Sequence, residues 1–496
     1  MGSFRCRIYG AAVMRNARRR LKIFAEVATF MLKLLNKFSL LLVIALTVLS
    51  MTARIVRAQE FKVWTDADFA DLGKQCTEPL PVGTIINAKN WQKYECYFPI
   101  FWRTVFAGDH YYKWPDAPGF DIEVGSTHDV PPPKNFIAAT EKYAGQTQLV
   151  QTNLAPGSWN VANYHGGYPF PSPTEPNKAY KILYNSWFSY RPAVVHERSF
   201  SLAIDKYKNQ TTSSYDIVIN QLNYNVDPGV PETNPVMPDY LNATYIELQS
   251  PEQSRYITSL NLKHKDPADF PDLYTFIPAL RRVLRLSAAA VCADIQGSDV
   301  DNDDACPNLG VCPQIPIFKV DLLGERKFLA NIGMSHDSVS PPEGKMVGYN
   351  PLYWHDTPAD LELSNGIVLP KREAGKWEVR DVYVIRWQRL PEFQAGYCFG
   401  SRISYIDKQN FNSLGADNFD MQQKFYKAAV GDYQIIDSPA GGPYFSADAN
   451  LSYTIDFQNF HASNGGEFYP VFNEKAGKYQ DTTRYATPAG LQQVMQ

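Results

Sequence analysis

Alternation dominates the middle and the C-terminal half of the chain. In Pro271-Asp-Leu-Tyr-Thr-Phe-Ile277, Leu273, Thr275 and Ile277 point to one side and Tyr274 and Phe276 to the other, the period of a strand. The same habit, rich in β-branched and aromatic residues, predicts strands over Ser199–Asp205, Ser214–Leu222, Ala243–Leu248, Tyr256–Leu262, Ile317–Leu323, Trp377–Trp387, Tyr397–Asp407 and Gly431–Asp437. Turns at Gly, Pro, Asn and Asp separate them, and strands and helices do not alternate as βα units do. Before them, Asp66–Lys74 reads as a short helix with acids in its first turn, and Asn135 as the cap of a helix through Tyr143. The expectation is a mainly β protein: one large curved antiparallel sheet or incomplete β-barrel with a few short covering helices. Its interior could hold an apolar ligand. Residues 59–195 form a mixed helix-and-loop region, and 196–496 an antiparallel domain that is one fold with 130–195.

The strand at Leu273 runs into Pro278, which ends or bends a ladder, and then into Arg281, Arg282 and Arg285 set among Leu280, Val283, Leu284 and Leu286. Read as a strand, Arg281, Val283 and Arg285 share one face and Arg282, Leu284 and Leu286 the other. A guanidinium keeps its charge and needs acceptors. The arginines therefore either clamp a carboxylate, phosphate or partner, with Tyr274 and Phe276 beside them, or pair with acids on neighbouring strands.

Charge changes the picture once the first 58 residues are set aside. A basic stretch (Arg15, Arg18, Arg19, Arg20, Lys22, Lys33, Lys37) precedes the apolar run Phe38–Leu49, and Val56-Arg-Ala58 offers small residues for signal cleavage. The run is shorter than the roughly 20 residues of a membrane span. Met31 is a plausible true start, and an uncleaved anchor is the alternative to cleavage near Ala58. The leader carries eleven Lys/Arg and one Glu, a net of +10, so the formal −3 of the whole chain becomes −13 for the mature part. Such acidity argues against nucleic acid as a partner.

Six cysteines follow the leader: Cys76, Cys96, Cys292, Cys306, Cys312 and Cys398. An even number in an exported chain favours disulfides, with Cys76–Cys96, Cys306–Cys312 and Cys292–Cys398 as the pairing expected among fifteen possible. Catalytic chemistry is sparse. Asp299, Asp301 and Asp303 alternate as calcium-loop ligands do, but Asp304 and Gly310 stand where an EF-hand needs glycine and glutamate, so a solvated acidic loop competes with a weak calcium site. His355-Asp356 sets a His beside an acid, but neighbours in a strand point to opposite faces, and neither a nucleophile elbow nor a zinc-protease motif occurs. No cofactor is expected.

Several segments resemble, in order, a family of exported Gram-negative proteins. That family is known mainly as a domain of unknown function and is grouped with the outer-membrane lipoprotein sorting (LolA/LolB-like) proteins. The matching segments are Tyr274-Thr-Phe-Ile-Pro-Ala-Leu-Arg-Arg-Val-Leu-Arg285, the Gly-x-Pro-Phe-Pro loop (Gly167, Pro169, Phe170, Pro171, with Asn185 following) and Leu323-Gly-Glu-Arg-Lys327. Trp377-Glu-Val-Arg-Asp-Val-Tyr-Val-Ile385 and Ser401-Arg-Ile-Ser-Tyr-Ile-Asp407 complete the set. The second-last departs from the family at its His-Arg pair, and Tyr383 replaces a tryptophan. The likeness covers roughly residues 130–440.

The resemblance implies a LolA/LolB-like fold and work at the periplasmic face of the outer membrane, alongside an RND-type exporter and an outer-membrane protein. It makes Gly167, Pro169, Phe170, Trp377 and Tyr405 candidates for ligand or partner contact, beside the arginine stretch; Glu378 and Arg380 share one strand face, as do Arg402 and Ser404, which suggests a polar side either in solvent or lining a mouth. For the 165–173 loop, a rigid plug packing Phe170 into the core is an equal reading. The leading function is a periplasmic carrier of a lipid or other hydrophobic molecule. The rivals are a hydrolase acting on a lipid or glycan, and a non-catalytic envelope scaffold that recognises its partner through sheet edges.

Overall fold

The computed structural model describes residues 61–495, apart from 108–120, 208, 288–290, 296–297, 302, 304–313, 333–360, 365–366 and 371–375. The leader, Cys306, Cys312 and His355-Asp356 therefore lie outside the described residues. Residues 62–496 group as one unit. No helix among the described residues is long and apolar enough to cross a membrane.

Among the described residues, five α-helices flank the strands: α1 Asp66–Asp71, α2 Ile100–Ala107, α3 Lys134–Lys142, α4 Lys178–Trp187 and α5 Thr482–Tyr485. Short pairs β1 Ile85–Ile86 with β2 Ile122–Glu123, and β3 Gln148–Gln151 with β4 Trp159–Ala162, precede the main sheet. Then come β5 Val194–Ile204, β6 Gln210–Gln221, β7 Tyr240–Ser250, β8 Thr258–His264, β9 Asp272–Ile277, β10 Arg282–Leu286 and β11 Phe318–Asn331. A hairpin of β12 Leu361–Ser364 and β13 Ile367–Pro370 interrupts before β14 Trp377–Arg389, β15 Ser401–Asp407, β16 Ser413–Phe419, β17 Phe425–Asp437, β18 Pro443–Asp456 and β19 His461–Phe472.

Thirteen strands form one open, curved antiparallel sheet in the order β10-β9-β8-β7-β6-β5-β19-β18-β17-β16-β15-β14-β11. Its two halves are meanders: β5 to β10 walks outward to one edge, the chain crosses to the other edge at β11, and β14 to β19 walks back until β19 pairs with β5. At the β11 edge the sheet rolls over, and Ile332, just past β11, bridges to Tyr433 of β17.

Both faces of most of the sheet are covered, which decides how its sequence reads. The first face carries Arg326, Arg380, Val384, Tyr405, Asp417 and Tyr453, and α1 and α2 lie on it. Phe69 stacks edge-on to Phe419 at 4.8 Å, and Trp102 meets Tyr453 at 5.9 Å. Farther along this face, α5 and the C-terminal turns put Tyr485, Ala486 and Leu491 against Val218, Tyr245, Leu260 and Phe276. The second face packs Tyr383, Ile385, Trp387 and Ile406 against Tyr180, Leu183 and Tyr184 of α4. A sheet buried on two sides cannot show simple apolar-in, polar-out alternation, so its charged strand positions must find partners inside.

Two local expectations change. Asn135 does not cap α3. Pro133 stands at the cap without a side-chain hydrogen bond, and Asn135 sits inside the helix, its amide donating to the Val226 carbonyl at 3.0 Å. The arginine stretch is a hairpin rather than one strand. Pro278–Leu280 make a 3-10 turn between β9 and β10, and Arg281 closes it with φ +50°.

Candidate functional site

The segment after α4 and the loop before it build a cleft on the second face, against β6 and β7. Tyr164-His-Gly-Gly-Tyr-Pro-Phe-Pro171 is docked by buried polar bonds. Asn185, fully buried on α4, accepts from the Phe170 N–H at 2.9 Å and donates to its carbonyl at 2.6 Å. Thr140 of α3 accepts from the Tyr168 N–H at 2.9 Å. Gly167 is required by position: at φ +68° a Cβ would stand 2.4 Å from the Thr140 nitrogen. Gly167, Pro169 and Phe170 thus place neighbouring rings.

The cleft encloses about 50 Å³ and is lined chiefly by Phe136, Tyr164, Trp187, Phe188, Tyr190, Tyr224, Leu241 and Phe445, with Arg191, Gln221, Asn242 and Asn412 among its polar residues. That is smaller than ordinary ligand sites, and its wall mixes aromatic rings with polar side chains. Tyr164 stacks on Phe188 at 3.8 Å and meets Tyr224 edge-on at 4.6 Å. The Tyr164 hydroxyl donates to the Gly167 carbonyl at 2.9 Å and that of Tyr190 to Asp227 at 2.8 Å, so both offer the cleft ring surface. Burial pushes the phenols of Tyr164, Tyr190 and Tyr224 up, which keeps all three neutral.

A second, roomier hollow of about 300 Å³ adjoins the first through Tyr224 and Val226, with Asn135, Lys142, His165, Asn225 and Glu232 on its wall. Tyr224, at the junction, has φ +63°, a left-handed conformation that is unusual for a bulky residue and marks a locally constrained chain.

The charged candidates lie elsewhere. Arg380, buried on β14, donates to Asp407 at 2.7 Å, to the His128 carbonyl at 2.6 Å and to Gln409 at 2.9 Å; Glu378, equally buried, receives the His128 N–H at 2.9 Å and its ring nitrogen. Trp377 packs edge-on to Trp102 at 5.6 Å. Tyr405 donates to Asp417 at 2.7 Å, with the Arg326 guanidinium 5.1 Å from its ring. Burial raises both the Tyr405 phenol and the Asp417 carboxyl. These residues tie strands to their cover.

Alternate aspartates of the 299–303 loop reach down onto every second strand of the second face. Asp299 receives His461 at 2.6 Å and Ser463 at 2.8 Å on β19; Asp301 receives Lys427 at 3.1 Å on β17. Asp303 receives Tyr397 at 2.5 Å and pairs with Arg402 of β15 at 3.4 Å. The expected spacing is there, but each carboxylate meets a different strand, and among the described residues no group of three or more His, Cys, Asp or Glu converges as a metal site. Imidazole and hydroxyl share Asp299 Oδ2, so His461 and Ser463 do not form a relay. Cys292–Cys398, with Cα atoms 5.7 Å apart, ties this loop to the segment before β15, and Cys76–Cys96 closes at 5.6 Å; both are the pairs expected.

The arginine hairpin stands apart, on the β10 edge, three strand spacings or roughly 14 Å along the sheet from β7. Arg285 pairs with Asp272, and Arg281 and Arg282 are exposed, with no carboxylate partner among the described residues. Phe276 is core, buried against Tyr245 and Leu491, and Tyr274 packs beside it. Sequence reasoning missed most cleft residues: Phe188, Tyr190, Tyr224, Leu241, Asn242 and Phe445. The one available signal is the density of aromatics in Tyr184-Asn-Ser-Trp-Phe-Ser-Tyr190, too crowded and irregular for a strand.

A family profile described as a protein of unknown function (DUF1329) matches residues 85–467. No curated protein matches the chain. Among solved structures, a DUF1329 family protein from Desulfovibrio piger is 10% identical, with 60% of this chain and 94% of that one covered at a TM-score of 0.40. A Vibrio parahaemolyticus domain provisionally assigned to outer membrane lipoprotein sorting is 11% identical, with 62% and 98% covered at 0.40. A LolA superfamily protein from Nitrosomonas europaea is 11% identical, with 60% and 93% covered at 0.33.

Proposed function

The chain belongs to the DUF1329 family, and from that starting point we propose that it is an exported protein that binds and carries a lipid or similar hydrophobic molecule in the periplasm. The observation that carries this reading is the aromatic-lined cleft under α3 and α4, with the Tyr164 and Tyr190 hydroxyls bonded elsewhere, which runs into an adjoining hollow of about 300 Å³. Each methylene moved from water onto such surface is worth about 0.8 kcal/mol, so an acyl-sized chain supplies enough driving force for stable binding. Export is supported by the basic and apolar leader and by two disulfides, which persist in oxidising compartments. Delivery to the outer membrane alongside an RND-type exporter and an outer-membrane protein is the cellular setting we assign. The test is native mass spectrometry of residues 59–496 purified from the periplasm, followed by lipid analysis of whatever is released. A stoichiometric hydrophobe supports the carrier. An empty protein that also ignores added fluorescent fatty acid refutes it.

A second reading, partner recognition through a sheet edge, has its own observation. Among the described residues β10 is an open edge with Arg282 exposed and Leu286 37% exposed, and the turn that leads into it exposes Arg281 and Leu280, the latter at 54%. The β11 edge, by contrast, has a bulge at Gly324 and is packed by Gly73. An extended acidic segment of an envelope protein would complete β10. Cross-linking from the hairpin in cells tests it: an Arg282→Glu variant that keeps every cross-link sinks this reading.

A further inference from the structure

One end of the sheet departs from the usual chemistry of turns. Because the strands form two meanders, the connections at 205–209, 251–257, 278–281, 390–400, 420–424 and 457–460 all lie at the same end. Turn tips are normally Gly, Pro, Asn, Asp or Ser, and at the opposite end Ser438-Pro-Ala-Gly-Gly442 joins β17 to β18 in that way. Here three tips each hold out a large apolar side chain: Tyr207 is 75% exposed, Leu280 54% and Met421 48%. A single exposed apolar residue needs no explanation, but these three form a pattern. Leu280 stands between β10 and β9, Tyr207 between β6 and β5, and Met421 between β17 and β16. In the strand order each follows the last by four strand spacings, roughly 19 Å along the sheet.

Each tip also has a cation beside it. Lys206 precedes Tyr207, its ammonium 5.3 Å from the ring; Arg281 and Arg282 follow Leu280; Lys424 closes the turn that holds Met421. The acids of two of these turns face inward. Asp205 accepts the N–H groups of Tyr207 and Asn209 at 2.8 and 2.9 Å, and Asp420 accepts those of Gln422 and Lys424 at 2.9 Å. Glu252 pairs with Arg255 at 3.4 Å, and Glu392 lies farther along, in the β14–β15 connection. At the opposite end the loop 222–239 carries Asp227, Glu232 and Asp239 and neither lysine nor arginine. The chain also enters the fold at the cationic end: Val63, itself exposed, bridges to Lys424, and the Trp64 N–H donates to the Gln423 carbonyl at 2.8 Å.

We propose that this end of the sheet seats on a phospholipid bilayer with anionic headgroups. Tyr207, Leu280 and Met421 enter the interface, and Lys206, Arg281, Arg282 and Lys424 meet the phosphates. Apolar side chains flanked by Lys or Arg sit in a headgroup layer in this manner, with carbon inward and charge outward. Three anchors spread over roughly 38 Å suit a broad surface rather than a pocket. The acidity of the rest of the mature chain then fixes the orientation, because the other end is repelled by the same lipids. Gln221 lines the cleft and Gln210 begins the same strand beside the Tyr207 turn, so the cleft lies roughly 37 Å from the bilayer. This goes beyond the carrier reading, and the sheet-edge reading gives Tyr207 and Met421 no role.

The experiment is flotation of residues 59–496 with vesicles of phosphatidylethanolamine and phosphatidylglycerol. Wild type should float with them, less so as salt rises. Tyr207→Ser with Met421→Ser should weaken binding at least about ten-fold. Val236→Ser with Phe270→Ser, exposed positions at the opposite end, should leave it unchanged. All four changes are at exposed turn or loop positions, and unaltered thermal unfolding and unaltered fatty-acid probe binding show that each variant is folded. Failure of wild type to float overturns the proposal and leaves the carrier reading standing. Equal flotation of wild type and the Tyr207/Met421 variant, or a loss confined to the Val236/Phe270 variant, also overturns it.

Discussion

Breaking the Asp303–Arg402 contact should unfold the protein far more easily than its 3.4 Å separation alone suggests. The Arg402 side chain is fully buried, with its guanidinium 5.0 Å from the Trp387 ring and 4.6 Å from that of Phe399; the Asp303 side chain is 3% exposed. At 3.4 Å and an effective dielectric of about 20, the Coulomb attraction is about 5 kcal/mol. Asp303→Leu removes that attraction and the acceptor of the Tyr397 hydroxyl, and leaves a guanidinium in an aromatic pocket. The expected loss is about 3–5 kcal/mol. With a urea m-value of about 3 kcal/mol/M, the midpoint falls by about 1–1.7 M. Adding Arg402→Met removes the stranded charge, and the double variant should recover most of the loss. Urea unfolding followed by tryptophan fluorescence measures both. A single variant within about 1 kcal/mol of wild type, or a double variant no better than the single, would refute the view that this loop is held to the sheet by buried ion pairs.

Three further outcomes are expected. Gly167→Ala should cost at least about 1 kcal/mol and weaken hydrophobe binding, since both the positive φ and Thr140 oppose a Cβ; Gly145→Ala, at φ +75° with open space around it, should cost less on thermal unfolding. The hydrogen bond from Asp299 holds the His461 pKa above its usual 6.5, so its stabilisation is complete below about pH 6.5 and fades as pH rises through the raised value. His461→Gln should therefore be less stable than wild type at pH 6 and converge with it in mildly alkaline buffer, by urea titration at each pH. Replacing Cys292 and Cys398 together by alanine reopens a loop with a sequence separation of 106 and should cost about 2–4 kcal/mol by the same assay.

The strands that the sequence revealed are those with large apolar residues at alternate positions, such as Val194–Ile204 and Trp377–Arg389. Ser413-Leu-Gly-Ala-Asp-Asn-Phe419 was invisible because it is buried on both faces and filled with small and polar residues, Asp417 among them, whose partners are the N–H groups of Ile100 and Phe101 more than 300 residues away. Glu378 and Arg380 on β14 and Arg402 on β15 looked like a solvated or ligand-lining side for the same reason: the sequence does not tell that the segment at His128 will cover the first two and the 299–303 loop the third. Cys76–Cys96 was legible as a local pair, and Cys292–Cys398 came as the remainder. The cleft was hardest to foresee. It depends on a bulge in β7, on loops around 164 and 188, and on Phe445 of β18, and no single stretch carries that convergence.

The central claim is that the cleft under α3 and α4 holds a hydrophobic ligand, and the most direct test is to fill it. Val226→Trp places an indole at the junction of the two hollows without touching the strands of the sheet. Titration of a fluorescent fatty-acid probe should give saturable binding to wild type, at least ten-fold weaker binding to Val226→Trp and unchanged binding to Arg282→Glu at the distant edge, a loss of about 1.4 kcal/mol or more at the cleft alone. Equal binding by wild type and Val226→Trp would contradict the account, because the hydrophobe would then sit somewhere other than the cleft.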